Sequence, residues 1–267
     1  MAAAAAWLAG FSSSQTLTVG NIAARETVAL KRADRFVVRV RTAYSETWAD
    51  LATLRARTIV EKNGRPLEEG AYRYFVNSKH AVLGSVTTAM VWYQSRAWVS
   101  YDVTHLPLSS HARAGQPGET IEQAVLGPLA LLGPPLARPA LLQGTGNVRW
   151  VYRRVGSQDI DGQPAFELQT HWPKSALSSP TTRASVAMAL RFYGANDRFD
   201  VWLNKATYLP VREQIYNGTN LVSDTEIAWL PRNSTNLALL KLKVPTAATH
   251  SVVACNSEDT GCSFRLG

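Results

Sequence analysis

Residues 200–231, DVWLNKATYLPVREQIYNGTNLVSDTEIAWLP, read as three alternating β segments joined by two turns, and a chain holding such a meander must build an antiparallel sheet around it. Phe199, Val201 and Leu203 share one phase of the first segment. Asn204, Lys205 and Ala206 make its turn, and residues 209–216 run back. Asn217-Gly218 then offers two residues that tolerate positive φ, which the twist of a tight hairpin demands, and residues 221–229 complete the meander. The same alternation recurs upstream. Phe36, Val38 and Val40 alternate with Arg39 and Arg41 across 36–44. Leu54, Ala56, Thr58 and Val60 alternate with Arg55 and Arg57, and Tyr72, Tyr74 and Val76 with Arg73. Asn63-Gly64-Arg65-Pro66 and Ser95-Arg96 are turns, and residues 81–86, 88–93 and 97–103 are further strands. Alternation repeated in this way predicts a sheet with one dry and one wet face.

Two segments break the rhythm. Ile22, Val28, Ala29 and Leu30 among charged residues predict an amphipathic helix over 16–35 that leads directly into the first strand. Residues 106–118 are polar, a surface loop. Residues 119–142, ETIEQAVLGPLALLGPPLARPALL, open with acidic residues suited to a helix N-terminus and are cut by Pro128, Pro134, Pro135 and Pro139, so short broken helices are expected. A strand over 148–155 follows, with Trp150 and Tyr152 alternating against Arg149, Val151 and Arg153. Asp161-Gly162 turns it into 165–171; Asp159 and Asp161 are read as turn formers. Residues 181–194 fit a helix or a strand equally.

The formal charge of +8 invites a nucleic-acid reading, but the cations are scattered: Arg39, Arg41, Arg55, Arg57, Arg73, Arg149 and Arg153 alternate with apolar neighbours, as on a solvated strand face. No nucleic acid is expected, and only a weak attraction to an anionic membrane surface. No apolar run is long enough to span a membrane. Cys255 and Cys262 lack the spacing of a redox pair, and two thiols make no zinc site; a local disulfide in the tail is expected where the compartment oxidises. Residues 1–16 read as a degenerate export leader. Leu8-Ala9-Gly10 begins a lipobox, but Phe11 stands where the lipid-bearing cysteine belongs, so no lipid anchor is possible there. No nucleophile elbow, paired-histidine metal motif or phosphate loop occurs, and the five histidines are far apart. The expectation is a protein that is no enzyme and has no cofactor or metal.

The order of the last meander resembles the C-terminal half of the LolA/LolB-type family, which includes LppX- and RseB-like proteins: a strand ending in Trp202-Leu203, a polar turn, Leu209-Pro210, an Arg/Glu-bearing strand, Asn217-Gly218 and a strand ending at Trp229. Residues 155–173, VGSQDIDGQPAFELQTHWP, and 231–246, PRNSTNLALLKLKVPT, resemble the family's patterns too. The likeness covers about 17–246, departs at 181–194, and leaves 247–267 as a separate tail. It implies a mainly β fold: a strongly curved antiparallel sheet of roughly ten strands, an unclosed barrel with helices on its concave face. It also implies a monomeric, extracytoplasmic protein of the periplasm or cell envelope that binds or carries lipid or the acyl chain of a lipoprotein. Two alternatives stand beside that reading: an RseB-like envelope sensor acting on a regulatory partner, and a structural envelope domain without ligand.

On the carrier reading the cavity is lined by Phe36, Val38, Val40, Leu54, Tyr72, Tyr74, Trp150, Tyr152, Phe166, Leu168, Phe199 and Val201, because the arginines of the opposite phase cannot all face an apolar interior. Leu126, Leu129, Leu131 and Leu132 form a lid, with Gly127, Pro128, Gly133 and Pro134 as its hinges. If the helices pack permanently, the same residues make an ordinary core.

Overall fold

The computed structural model describes residues 18–76, 82–102, 152–171 and 197–254. Trp150, the lid leucines, their hinges, the segment 181–194, Cys255 and Cys262 lie outside the described residues.

Twelve described strands form one sheet: β1 (Phe36–Arg41), β2 (Ser45–Asp50), β3 (Arg55–Lys62), β4 (Arg65–Val76), β5 (Val82–Trp92), β6 (Ala97–Asp102), β7 (Arg153–Ile160), β8 (Gln163–His171), β9 (Asp197–Asn204), β10 (Pro210–Asn217), β11 (Asn220–Pro231) and β12 (Thr249–Ala254). Their order is β12-β6-β5-β4-β3-β2-β1-β11-β10-β9-β8-β7. The sheet is therefore two meanders, β1–β6 and β7–β11, joined where β1 pairs antiparallel with β11, Val38 opposite Trp229 and Val40 opposite Ile227. It does not close: β7 and β12 are its edges.

Several differences from the sequence reading have physical causes. The strand count is twelve, and one pair is parallel, β12 on β6. Six residues of the tail join the sheet there, with His250 stacked on Trp98 at 3.7 Å. β2 has no apolar alternation of its own; it is a strand because β1 and β3 both pair with it. β5 runs unbroken from 82 to 92, the irregularity being absorbed where its register against β4 shifts. β7 is described from Arg153, and residues 148–151 of the strand expected over 148–155 lie outside the described residues. At the last hairpin Asn217 closes β10 opposite Asn220, and of the pair Asn217-Gly218 only Gly218 takes a positive φ, 62°.

Helix α1 (Val19–Leu30) starts at Thr18, whose hydroxyl accepts from the Asn21 amide at 3.2 Å. Val19, Ile22 and Ala23 pack on Phe166, Leu168, Val201 and Leu203 of β8 and β9, whereas Leu30 and Ala33 pack on Val38, Val40 and Ala49 of β1 and β2. Twelve residues of helix span about 18 Å, the width of about four strands. α1 thus crosses the seam between the two meanders. Arg25 fixes it by donating to the Tyr208 hydroxyl.

The other face carries a strap. After β11, Asn233 caps the short helix α2 (Ser234–Leu237), which continues into a 3-10 turn, Ala238–Leu240. Leu237, Leu239 and Leu240 cover Val37, Trp48 and Ile59. Arg57, expected on a solvated face, is 1% exposed beneath this strap. Its Nε lies 2.5 Å from Glu69, its Nη1 donates to the Leu239 carbonyl at 2.7 Å, and its plane lies over the Trp48 ring. The other described strand arginines of that reading, Arg39, Arg41, Arg55, Arg73 and Arg153, are half-exposed or exposed, since the strap of residues 234–240 covers Val37, Trp48 and Ile59 instead.

Candidate functional site

Residues directly opposite one another in an antiparallel pair share a face, so the register decides which side chains stand together. From β1 outwards, Val38 opposes Ala49, Ala49 opposes Ala56, and Ala56 opposes Tyr72. In the other direction Val40 opposes Ile227, Ile215 opposes Phe199, Val201 opposes Leu168, and Leu203 opposes Phe166. The face that α1 crosses therefore holds Phe36, Val38, Val40, Tyr72, Tyr74, Phe166, Leu168, Phe199 and Val201 together, contributed by four strands, β1, β4, β8 and β9. Leu54 packs against the Val38 cluster and Tyr152 against the Leu168 cluster. Trp150 and the lid residues are outside the described set, so the proposed roof has no described geometry.

The row falls into two clusters. One gathers Ala33, Val38, Val40, Ala49, Leu51, Ala56, Tyr74 and Ile227, with Tyr72 and Trp229 at its margin. Trp229 is held by a hydrogen bond from its Nε1 to the Pro210 carbonyl at 2.8 Å, and Phe36 meets it edge-on at 5.9 Å. The other cluster joins Ile22 of α1 to Phe166, Leu168, Val201 and Leu203. Gly70 lies in the row opposite Met90, and a Cβ there would stand 2.1 Å from the Tyr72 hydroxyl oxygen. The missing side chain is what lets the Tyr72 ring lie along the sheet, its hydroxyl 3.8 Å from Met90 Sδ. Burial and the charge of Glu68 push the Tyr72 phenol up to about 12.

Between the clusters stands a polar group that sequence reasoning missed. Glu213 of β10 opposes Val201 on one side and Thr225 on the other, and is 7% exposed. Among the described residues it makes no ion pair, and burial pushes its carboxyl up to about 8. Tyr152 is near enough that the charges of Glu213 and Glu26, after burial itself, raise its phenol. Glu26 lies midway along α1 and is fully buried. The charges of Glu213 on β10 and Glu26 on α1 thus both act on the one buried phenol. The signal was available: Glu213 is in phase with Ile215, which opposes Phe199.

The strap face is polar by virtue of its partners. Burial raises the Glu69 carboxyl, but hydrogen bonds from Arg57, Tyr93 and the Lys243 amide outweigh it and hold the group below its usual range. Asp50 behaves alike: burial opposes ionisation, and the paired donors of Arg232, at 2.9 and 3.1 Å, with Thr53 at 2.6 Å, prevail. Asp159 makes the turn expected of it, accepting the Gly162 amide at 2.5 Å. Among the described residues no group of three or more His, Cys, Asp or Glu could hold a metal ion, and no helix is long and apolar enough to cross a membrane.

No family model and no curated protein matches the sequence. Solved structures do. An uncharacterised conserved protein of Thermus thermophilus is similar at a TM-score of 0.40 and 11% identity, over 86% of this chain and 98% of that one. The Mycobacterium tuberculosis lipoprotein LppX gives 0.40 and 13%, over 85% of this chain and 98% of that one. MucB of Pseudomonas aeruginosa, solved with MucA, gives 0.39 and 13%, over 83% of this chain and 61% of that one. Likenesses this distant say nothing of ligand or partner.

Proposed function

We propose that this protein is a non-catalytic binder or carrier of lipid, or of the acyl chains of lipoproteins, working outside the cytoplasmic membrane. The observation that supports the reading is the apolar row itself. Val38, Val40, Leu168, Phe199 and Val201, with Tyr72, Tyr74 and Phe166, share one face of an unclosed sheet across two meanders. Val38, Leu168, Phe199 and Val201 are already buried, so an acyl chain reaches the row by displacing what covers it. The chain's own gain of about 0.8 kcal/mol per buried methylene, about 8 kcal/mol for ten, offsets that cost. In this reading Leu126, Leu129, Leu131 and Leu132 roof the chain, Gly127, Pro128, Gly133 and Pro134 let the roof lift, and Cys255 and Cys262 are joined in an oxidising compartment.

Native mass spectrometry of protein purified without detergent tests the first part, and binding of a fluorescent fatty acid the second. Co-purified lipid and saturable binding are expected, with Leu129→Asp abolishing binding while the urea midpoint stays put. A protein that never carries or takes up an acyl chain overturns the proposal; a Leu129→Asp variant that binds normally overturns the roof.

A further inference from the structure

We propose a second binding site on the opposite face: the groove at the β3–β4 hairpin end takes a phosphate ester. The groove has a volume of about 600 Å³ and is lined by Lys62, Asn63, Arg65, Pro66, Leu67, Tyr93 and Gln94. No carboxylate lines it.

The register makes this more than a surface scatter of cations. Lys62 and Arg65 stand directly opposite each other across the Asn63-Gly64 turn. Like charges so placed destabilise a strand pair, and neither has an ion-pair partner among the described residues. The acids nearby are turned away or occupied. Glu61 opposes Pro66, one residue out of phase with Lys62. Glu68 acts on Tyr72 of the other face, and Glu69 is held by Arg57. The Tyr93 hydroxyl is itself fixed, donating to Glu69 at 2.5 Å and lying 3.1 Å from the Lys243 carbonyl.

Two opposed cations are offset by a group with close to two negative charges and several acceptor oxygens, which an ammonium and a guanidinium fork both serve. A phosphate monoester has that charge; a single carboxylate has half of it. The groove is also much larger than a phosphate, and Leu67 and the Tyr93 ring give it an apolar floor for the esterified part. The acyl-binding row lies on the other face of the sheet, so this site stands or falls independently of it.

Two probes separate the sources of the ester: glycerol 3-phosphate in solution, and phosphatidylcholine vesicles with and without phosphatidic acid. Binding of the soluble ester alone assigns the groove to a free phosphate compound; binding of phosphatidic acid vesicles alone assigns it to a lipid head group. The double variant Lys62→Gln/Arg65→Gln is expected to lower binding about thirtyfold, each cation near an anionic surface being worth about a factor of five. Arg55→Gln/Arg73→Gln removes the same charge from a second opposed pair on the same two strands, away from the groove, and should leave binding unchanged. Equal losses in the two double variants, or no binding of either probe by the unaltered protein, overturn the proposal.

Discussion

Glu213 predicts a fold that weakens as pH rises through a range where most proteins are steady. Its carboxyl is raised from 4.5 to about 8 by burial opposite Val201, and its charge in turn acts on Tyr152. Below pH 4.5 the group is protonated both folded and unfolded, and contributes no pH dependence. Between pH 4.5 and 8 only the unfolded chain releases the proton, so stability falls by about 1.4 kcal/mol per pH unit. Above 8 both states are ionised and the loss is complete, at about 5 kcal/mol. Between pH 5 and pH 8 the loss comes to about 3.5 kcal/mol. Glu213→Gln keeps the shape and removes the proton equilibrium. Urea unfolding followed by tryptophan fluorescence at pH 5 and pH 8 should show wild type and variant close together at the lower pH, and the variant more stable by about 3 kcal/mol at the higher. If both proteins lose the same stability between the two pH values, Glu213 is not the buried acid that the geometry makes it.

Arg57→Met leaves Glu69 buried without its partner and should cost about 3–5 kcal/mol in urea, most of it recovered when Glu69→Leu is added. Leu168→Ala, at a fully buried site under α1, should cost about 2–5 kcal/mol by the same measurement. Gly70→Ala forces the Tyr72 hydroxyl, 2.1 Å from the added carbon, out of the row. The expected result is weaker binding of a fluorescent fatty acid with a small change in thermal midpoint.

The phase of the strands was legible because alternation is a local property: Phe36-Val38-Val40 and Phe199-Val201-Leu203 declare their dry side within a few residues, and pairing carried both sets to one face. Arg57 was misread for the same reason. Nothing near it in sequence announces that a strap from residues 234–240 will cover its side of the sheet. β2 and β12 were missed because their residues become strands only through partners, with Thr249 opposite Ala97 across most of the chain. Glu213 hid in a polar-looking run, Arg212-Glu213-Gln214, in which its neighbours bond Asp224 while it alone turns inward.

The seam between the meanders also governs how the sheet comes into being. β1 is among the first strands to leave any machinery that delivers the chain from its N-terminus, and β11, its partner, is nearly the last. In the interval β1–β6 can assemble by short hairpins, but the outer edge of β1 has only solvent to bond, and α1 has only half of its bed. An open strand edge of that kind is a template for a second chain. Closure across so long a separation is slow, so refolding should be limited by the joining of the two meanders, and its yield should fall as protein concentration rises.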